Sequence, residues 1–492
     1  MGRHIASGIV NSGIVQIVAV LCQFGSVIVL ARLLSPSDFG LIAMVGPVYG
    51  FVLLFQDLGL SQATIQKPQL NHDEVNAFFW INVAVGAALT VAVCALSPLV
   101  GWYYGEPRVV PLTIAMGLLI LVGSVGNQHG AILRRRMEFG IVAVSGVAGA
   151  VSGLAVSITL AVVLKNYWAL YFGTAVGVVI PTVGVWVASG WRPSAPRRVY
   201  GLREMLKFGA GITCGNMSSF FSRNMDNILI GWRWGDHALG LYDRAYKLLL
   251  FPVQRIVGPV MGTMVPVLSR LATKPEEYCR IYLKTMGQLT LATWPGIIWA
   301  ITLNDTLVST LLGKQWTDSA AIFEPLAIAG LVQVVNTSIG YLCISQGRSG
   351  EFARLSFIGA VIDVAAFVIG LPYGAIGVAT SYAVSEYVRT PFFWWYVTRR
   401  GPIRPHDLVR TILPQTASAL AAGVVLLACR KLTQMPPIFL LTSGLALSYA
   451  VSALTMSMSP AGRETLKHTL DAGRRILLHL KSKDAERKSL GL

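Results

Sequence analysis

The chain has 492 residues, of which 54% are hydrophobic and only 13% charged, with a mean hydropathy of +0.60. Soluble domains carry about twice that charged fraction, so a large globular protein is excluded and a polytopic membrane protein is indicated. The net charge of +17 does not mark a nucleic-acid binder, because the basic residues alternate with apolar stretches instead of forming one surface.

The N-terminus is short and runs into an apolar stretch interrupted by Gln16 and Gln23, with no small-residue cleavage site, which predicts a retained first span. Apolar segments then recur, beginning near Gly8, Asp38, Phe78, Val109, Ile141, Tyr167, Phe208, Ala238, Ile281, Ala320, Phe352, Ala375, Thr411 and Pro437. At about twenty residues per span, they predict an all-α polytopic membrane protein with about fourteen transmembrane helices. Connections are short and carry turn residues, as at Leu34–Gly40 and Gly105–Pro107. With the N-terminus inside, Arg134–Arg136, the 192–207 loop, the 270–284 and 399–410 segments and the C-terminal tail all fall on the inner side. The Lys/Arg excess there is roughly fourfold, which places both termini in the cytoplasm. From Pro460, Leu466, Leu470, Leu477 and Leu480 follow helical spacing among Arg463, Lys467, Arg474, Arg475 and Lys481. This predicts an amphipathic helix on the anionic inner leaflet, with a solvated tail as the alternative.

The two halves echo each other. Ser37-Asp38-Phe39-Gly40-Leu41 and His237-Ala238-Leu239-Gly240-Leu241 lie between the first and second spans of each half. Lys67-Pro68 and Lys274-Pro275 follow the second spans, and Gly105 and Gly313 follow the third. An even number of spans per half inserts both halves the same way up. The expected organisation is therefore an N-terminal six-helix lobe (1–200), a C-terminal six-helix lobe (201–400), two additional transmembrane helices (401–458) and a cytoplasmic basic amphipathic tail (459–492). The lobes would be a parallel repeat with a site at their interface.

Charges inside apolar spans point to function, because each costs at least ~2.5–3.5 kcal/mol to insert. Arg223, Arg244, Lys247 and Arg255 are the cations of this kind. Arg244 and Arg255 fall roughly 20° apart on one helix face, with Lys247 about 60° to the side. Such a basic stripe suits anion binding; snorkelling of Arg244 outward and Arg255 inward is the structural alternative. Asp226 follows Arg223 by three residues and Glu386 precedes Arg389 by three, spacings that permit an ion pair or a gate. The adjacent residues Asp243 and Arg244 lack that spacing. No opposite charge stands at helical spacing from Asp363 in its own span, so it, Asp226 and Asp57 are candidates for coupling to an ion. Gln16 and Gln23 share a helix face, where they suit sugar hydroxyls or interhelical hydrogen bonds. Gly149 and Gly153 read as helix packing, and Pro252, Pro259 and Pro266 as a kink or curvature in the eighth span.

Cys22, Cys94, Cys214, Cys279, Cys343 and Cys429 are scattered and the histidines form no cluster, so no disulfide framework, metal or cofactor is expected. An enzyme of the polysaccharide polymerase or glycosyltransferase kind would need catalytic groups in a sizeable outer loop. The longest outer connection, Asn304–Ser319, carries only Asp305 and Asp318 as carboxylates.

Several strings carry a resemblance: LARLLSPSDFGLIAMV (Leu30–Val45), DLGLSQATIQ (Asp57–Gln66), LGLYDRAYKLLLFPVQRI (Leu239–Ile256) and LLGKQW (Leu311–Trp316). They resemble the polysaccharide-exporter family, the lipid-linked oligosaccharide flippases of O-antigen, colanic-acid and exopolysaccharide type. That family lies within the multidrug/oligosaccharidyl-lipid/polysaccharide exporter superfamily. The match runs in order from about residue 10 to 400, more loosely beyond. It implies a bacterial inner-membrane flippase for undecaprenyl-pyrophosphate-linked repeat units, used in exopolysaccharide or lipopolysaccharide export. Alternating access coupled to H+ or Na+ is implied too, with a polymerase and a chain-length regulator as partners. A multidrug or organic-cation exporter of the same superfamily is the runner-up, but it should present acidic residues where this chain presents basic ones.

Overall fold

The computed structural model describes residues 22–67, 71–196, 202–432 and 435–471, with backbone alone at 202–219 and 250–255. The described residues form helices and no strands. In chain order these are α1 (Cys22–Leu33), α2 (Pro36–Leu53), α3 (Leu60–Gln66), α4 (His72–Tyr104), α5 (Val109–Arg135), α6 (Phe139–Leu164), α7 (Trp168–Ser189) and α8 (Leu202–Arg270). There follow α9 (Pro275–Thr302), α10 (Asn304–Leu311), α11 (Asp318–Ser345), α12 (Ser349–Gly370), α13 (Gly374–Thr398), α14 (Pro405–Leu432) and α15 (Pro437–Ser457). Among the described residues, nine stretches are long and apolar enough to cross a membrane, one of them running through α12 and α13.

Each expected span from Asp38 onward falls on one of these helices, although α8 and α9, which carry those near Phe208, Ala238 and Ile281, are not among the nine; the one near Gly8 lies outside the described residues. The spans near Phe208 and Ala238 are two arms of α8, parted at Gly235 (φ 80°, ψ −173°). That backbone conformation is open to glycine and strained for other residues. Helical dihedrals persist through Pro252, Pro259 and Pro266, so the break in this helix belongs to the glycine. The second span is also interrupted, which the hydropathy pattern did not predict. α2 ends at Leu53, and Leu58 (φ 46°) and Gly59 (φ 73°) turn the chain before the short α3 begins.

Local chemistry explains several of the boundaries. Ser35 and Asp38 form a capping box at the start of α2, each side chain accepting the other's backbone N–H, with Pro36 in the first turn. Asn71 and Glu74 do the same for α4, and Gly105 (φ 64°) ends it.

The chain divides into two compact units. The first comprises Met1–Ala245, Leu311–Ser319 and Ser356–Val378; the second comprises Tyr246–Thr310, Ala320–Leu355 and Ala379–Leu492.

In the first unit, α6 and α7 pack through small residues. A Cβ on Gly149 would lie 2.4 Å from Pro181 Cγ, one on Gly153 2.5 Å from the Gly173 carbonyl, and one on Gly173 1.6 Å from Ser157 Oγ. The GxxxG spacing is thus a packing seam, as the sequence pattern indicates. In the second unit, α9 receives hydrogen bonds from α15: Ser448 Oγ donates to Pro295 O at 2.7 Å and Tyr449 Oη to Ala292 O at 2.7 Å. Residues 460–471 are helical, and Gln288 of α9 donates to His468 O at 3.1 Å. Leu477, Leu480, Arg474, Arg475 and Lys481 of the predicted tail helix lie outside the described residues.

The seam yields a paired test. Gly153→Leu should lower thermal stability in detergent or nanodiscs by about 1–3 kcal/mol through overpacking. Gly146→Leu lies on the same helix, where an added Cβ would meet nothing within 4 Å, and should leave the unfolding midpoint nearly unchanged.

Candidate functional site

The first unit holds Arg244 in α8, shortly after the break at Gly235. Arg244 is 8% exposed, although it carries a charge. Its Nε and Nη2 donate to Asp243 Oδ2 at 3.2 and 2.8 Å, and its guanidinium carbon lies 4.1 Å from the centre of the Phe39 ring. The adjacent pair that lacked helical pairing geometry is therefore bridged, a correction to the spacing argument. Arginine is long enough to fold its planar fork back onto its neighbour, and the Phe39 face supports it there. A guanidinium has five N–H donors, so bonding through Nε and Nη2 leaves others for a further acceptor.

Phe39 belongs to a tightly built crossing. A Cβ on Gly40 would lie 1.8 Å from Asp236 O, and one on Gly240 1.8 Å from Pro36 O. The two repeat-matched segments thus meet backbone to backbone, each glycine against the residue just before the other's motif. The loops after the third spans join the same crossing. Arg108 Nη2 reaches Asp236 Oδ2 at 3.0 Å. Trp316 Nε1 donates to Ala31 O at 2.7 Å, and Gln315 Nε2 to Ala31 O and Leu34 O at 2.6 and 3.0 Å. These donors satisfy carbonyls at the end of α1, where the helical ladder runs out. The Arg108 guanidinium also holds the Glu106 carboxyl below the usual carboxylate range, chiefly by their direct hydrogen bond. Sequence reasoning assigned no role to Arg108, Gln315 or Trp316; the repeat offset and the LLGKQW string were the signal that pointed there.

Three carboxylates proposed for ion coupling lie in this unit and are held differently. Asp226, buried, accepts from Tyr242 Oη at 2.9 Å and from the Asn227 N–H at 2.8 Å. Arg223, three residues before it, is exposed. Asp363, also buried, accepts from Ser222 Oγ of α8 at 2.7 Å. Asp57, half-buried in the turn between α2 and α3, accepts from Ser61 Oγ at 2.6 Å and more distantly from Asn82 Nδ2 at 3.5 Å. Gln23 is exposed on α1, and Gln16 lies outside the described residues.

Lys247 belongs to the second unit and is exposed; Arg255 is helical, with its side chain outside the described residues. That unit holds a buried polar cluster around Glu386, which is 1% exposed. Arg389 bonds its Oε1, as the spacing permitted. Tyr382 Oη donates to the same oxygen at 2.9 Å, and Asn336 Nδ2 to Oε2 at 3.0 Å. Gln333 Nε2 donates to Tyr382 Oη at 2.6 Å, and Trp394 Nε1 to Asn336 Oδ1 at 3.1 Å. Gln333 and Asn336 were absent from the sequence reading; two amides three apart in an apolar span were their signal. Among the described residues, no group of three or more His, Cys, Asp or Glu is placed to hold a metal ion.

Removing one partner of a buried ion pair leaves the other charge uncompensated. Arg389→Leu should therefore destabilise the protein by about 3–5 kcal/mol. The double variant Glu386→Gln/Arg389→Leu should recover most of that loss, read as the thermal midpoint of each purified protein.

The chain's relatives agree with this architecture. The model of a family described as polysaccharide biosynthesis protein matches residues 29–321. The lipopolysaccharide biosynthesis protein WzxC of Escherichia coli (strain K12) is 22% identical over 391 residues, covering 78% of this chain and 79% of WzxC. The succinoglycan biosynthesis transport protein ExoT of Rhizobium meliloti (strain 1021) is 25% identical over 359 residues, covering 72% of this chain and 71% of ExoT. Among solved structures, the lipid II flippase MurJ in an inward closed conformation superposes with a TM-score of 0.77 at 12% identity, over 91% of this chain and 98% of MurJ. An inward-facing multidrug resistance MATE family transporter of the MOP superfamily gives 0.60 at 16% identity, over 80% of this chain and 98% of that one. At these identities the two structures establish a shared polytopic fold. With the family model matching more than half of its length, the chain belongs to the polysaccharide biosynthesis protein family.

Proposed function

We propose that this protein is a flippase that moves undecaprenyl-pyrophosphate-linked oligosaccharide repeat units across the bacterial inner membrane, for exopolysaccharide or lipopolysaccharide export. The observation that carries the reading is Arg244, a buried cation with N–H donors beyond those bonded to Asp243. A lipid pyrophosphate carries more than one negative charge through a hydrocarbon slab. Arginine forks holding its oxygens, with lysine as a point charge, lower that barrier while the polyprenyl tail stays in lipid. Arg223, Arg244, Lys247 and Arg255 form the anion path in this reading, and Gln16 and Gln23 contact sugar. Family membership supports a role in polysaccharide biosynthesis, and the relatives described as a transport protein and a lipid flippase support transport rather than catalysis.

The mechanism in this reading is alternating access between two six-helix lobes, 1–200 and 201–400, with both termini cytoplasmic. The crossing of Gly40 with Gly240, tied by Arg108–Asp236 and Trp316–Ala31, serves as the outer gate. H+ or Na+ drives the cycle through Asp363, Asp226 or Asp57, and Glu386–Arg389 is an ion pair or gate. A polymerase would elongate the exported units under a chain-length regulator. A multidrug or organic-cation exporter shares the fold, but its cargo would be repelled by the same basic residues.

The test is complementation of a strain lacking its own exopolysaccharide flippase. Arg244→Ala and Arg255→Ala, each shown to reach the membrane, should lower polymer output at least about tenfold, as loss of a charge-assisted phosphate contact of ~1.5–3 kcal/mol requires. The lipid-linked unit should then accumulate on the cytoplasmic leaflet, and Arg255→Lys should retain part of the activity. Full export by both alanine variants would remove the basic stripe from the mechanism.

A further inference from the structure

We infer that the first unit binds a monovalent cation of the Na+ class between the α2–α3 turn, α4 and α5, with Asp57 as the charged ligand and Asn82 and Gln128 as neutral oxygen ligands. Its role in transport rests on the flippase reading; the binding itself does not.

The site begins with an interrupted helix. Between α2 and α3 the chain takes two successive positive-φ residues, Leu58 at 46° and Gly59 at 73°. For a bulky residue such as leucine this is a strained conformation. Interrupted helices at membrane depth are where transport proteins place ion ligands, because they free polar groups from the helical ladder. Asp57 stands at this break. Among the described residues it makes no salt bridge: its carboxylate accepts from Ser61 N at 3.2 Å, Ser61 Oγ at 2.6 Å and Asn82 Nδ2 at 3.5 Å. These partners are all neutral, so the carboxylate keeps a negative charge that a cation could balance.

Beside it lie two fully buried amides with unsatisfied atoms. Helices α4 and α5 run antiparallel: a Cβ on Gly86 would lie 2.2 Å from Ser124 Oγ, and Thr90 Oγ1 donates to Gly117 O at 3.0 Å. In that register Asn82, one turn before Gly86, faces Gln128, one turn after Ser124. Both are 0% exposed, and Asn82 Oδ1 and Gln128 Nε2 have no hydrogen-bond partner.

The identity of the Gln128 atom follows from Thr64. Thr64 Oγ1 lies 3.0 Å from Leu60 O and 2.9 Å from Gln128 Oε1, both of them acceptors. A hydroxyl has one proton, which cannot serve two carbonyl oxygens fully. With the Gln128 amide turned so that Nε2 donates to Thr64 Oγ1, and Thr64 donates to Leu60 O, both groups are satisfied; such amide orientations are assigned from the hydrogen-bond network. The atom left over is then Gln128 Oε1. Each amide then offers a buried oxygen without a donor, on helices that face each other, and Asn82 also reaches the Asp57 carboxylate. That is an oxygen donor set of single negative charge, which fits a hard monovalent cation.

The experiment is thermal unfolding of the full-length protein in nanodiscs, titrated with NaCl against choline chloride at constant ionic strength, without glycan. Wild type should show a saturable rise in midpoint with Na+. Asn82→Leu and Gln128→Leu should move half-saturation up at least tenfold, and Asp57→Asn should abolish the Na+ response. Should Asp57→Asn fail to fold, direct 22Na+ binding to wild type and to Asp57→Glu supplies the reading, with weakened binding expected in the glutamate variant. No Na+ response in wild type, or an undiminished one in Asp57→Asn, overturns the site and leaves an internal water as the bridge between the amides. Loss of Na+ binding with glycan export intact would overturn only the coupling site, whereas Na+ binding without glycan export would overturn only the flippase reading.

Discussion

A charge inside a bilayer must meet a counter-charge, a set of hydrogen bonds or water, and the polar interior of this protein is arranged around that requirement. Arg244 meets Asp243 and the face of Phe39. Glu386 meets Arg389, Tyr382 and Asn336. Asp226 and Asp363 take hydroxyl donors from Tyr242 and Ser222. These arrangements differ in what they offer a bound ion. The Glu386 cluster pairs its carboxylate with a cation and is hydrogen-bonded on both oxygens. A carboxylate held by neutral donors, as Asp57 is by Ser61 and Asn82, keeps a charge to be balanced, which is the condition an ion-coupled carrier needs.

The second requirement is close approach. Gly40 and Gly240 admit carbonyl oxygens to a distance at which no Cβ could sit, and they do so at matching points of the internal repeat. Helices in lipid gain little from burying apolar side chains against one another, since lipid is equally apolar; contact between backbones and hydrogen bonds between side chains and carbonyls take over. The same logic explains Trp316 and Gln315 at the end of α1, and the seam of Gly149, Gly153 and Gly173 between α6 and α7. In the flippase reading, an end closed by small residues and a few hydrogen bonds can open without exposing a large apolar core. A gate built from interdigitated leucines would not separate so readily.

Membership of the polysaccharide biosynthesis protein family and the fold shared with MurJ leave the nature of the cargo to the charges. Under the proposed function the basic residues of α8 suit an anionic lipid headgroup better than an organic cation, and the Asn304–Ser319 connection carries two carboxylates.

Much of this was legible in the residues themselves. Composition required an all-α membrane protein because only helices satisfy a long apolar backbone in lipid without a closed sheet. The matching SDFGL and HALGL strings announced the repeat, and spacing alone paired Glu386 with Arg389. The rest depended on contacts remote in sequence. No periodicity could indicate that Phe39 would hold the guanidinium of Arg244, that Asp236 would meet Arg108, or that Asn336 would complete the shell of Glu386. Nor could it reveal the break at Leu58 and Gly59, since hydropathy is blind to dihedral angles. Apolar patterning determines which segments enter the membrane; which polar groups meet there is settled by helix register, and register is a property of the packed tertiary structure.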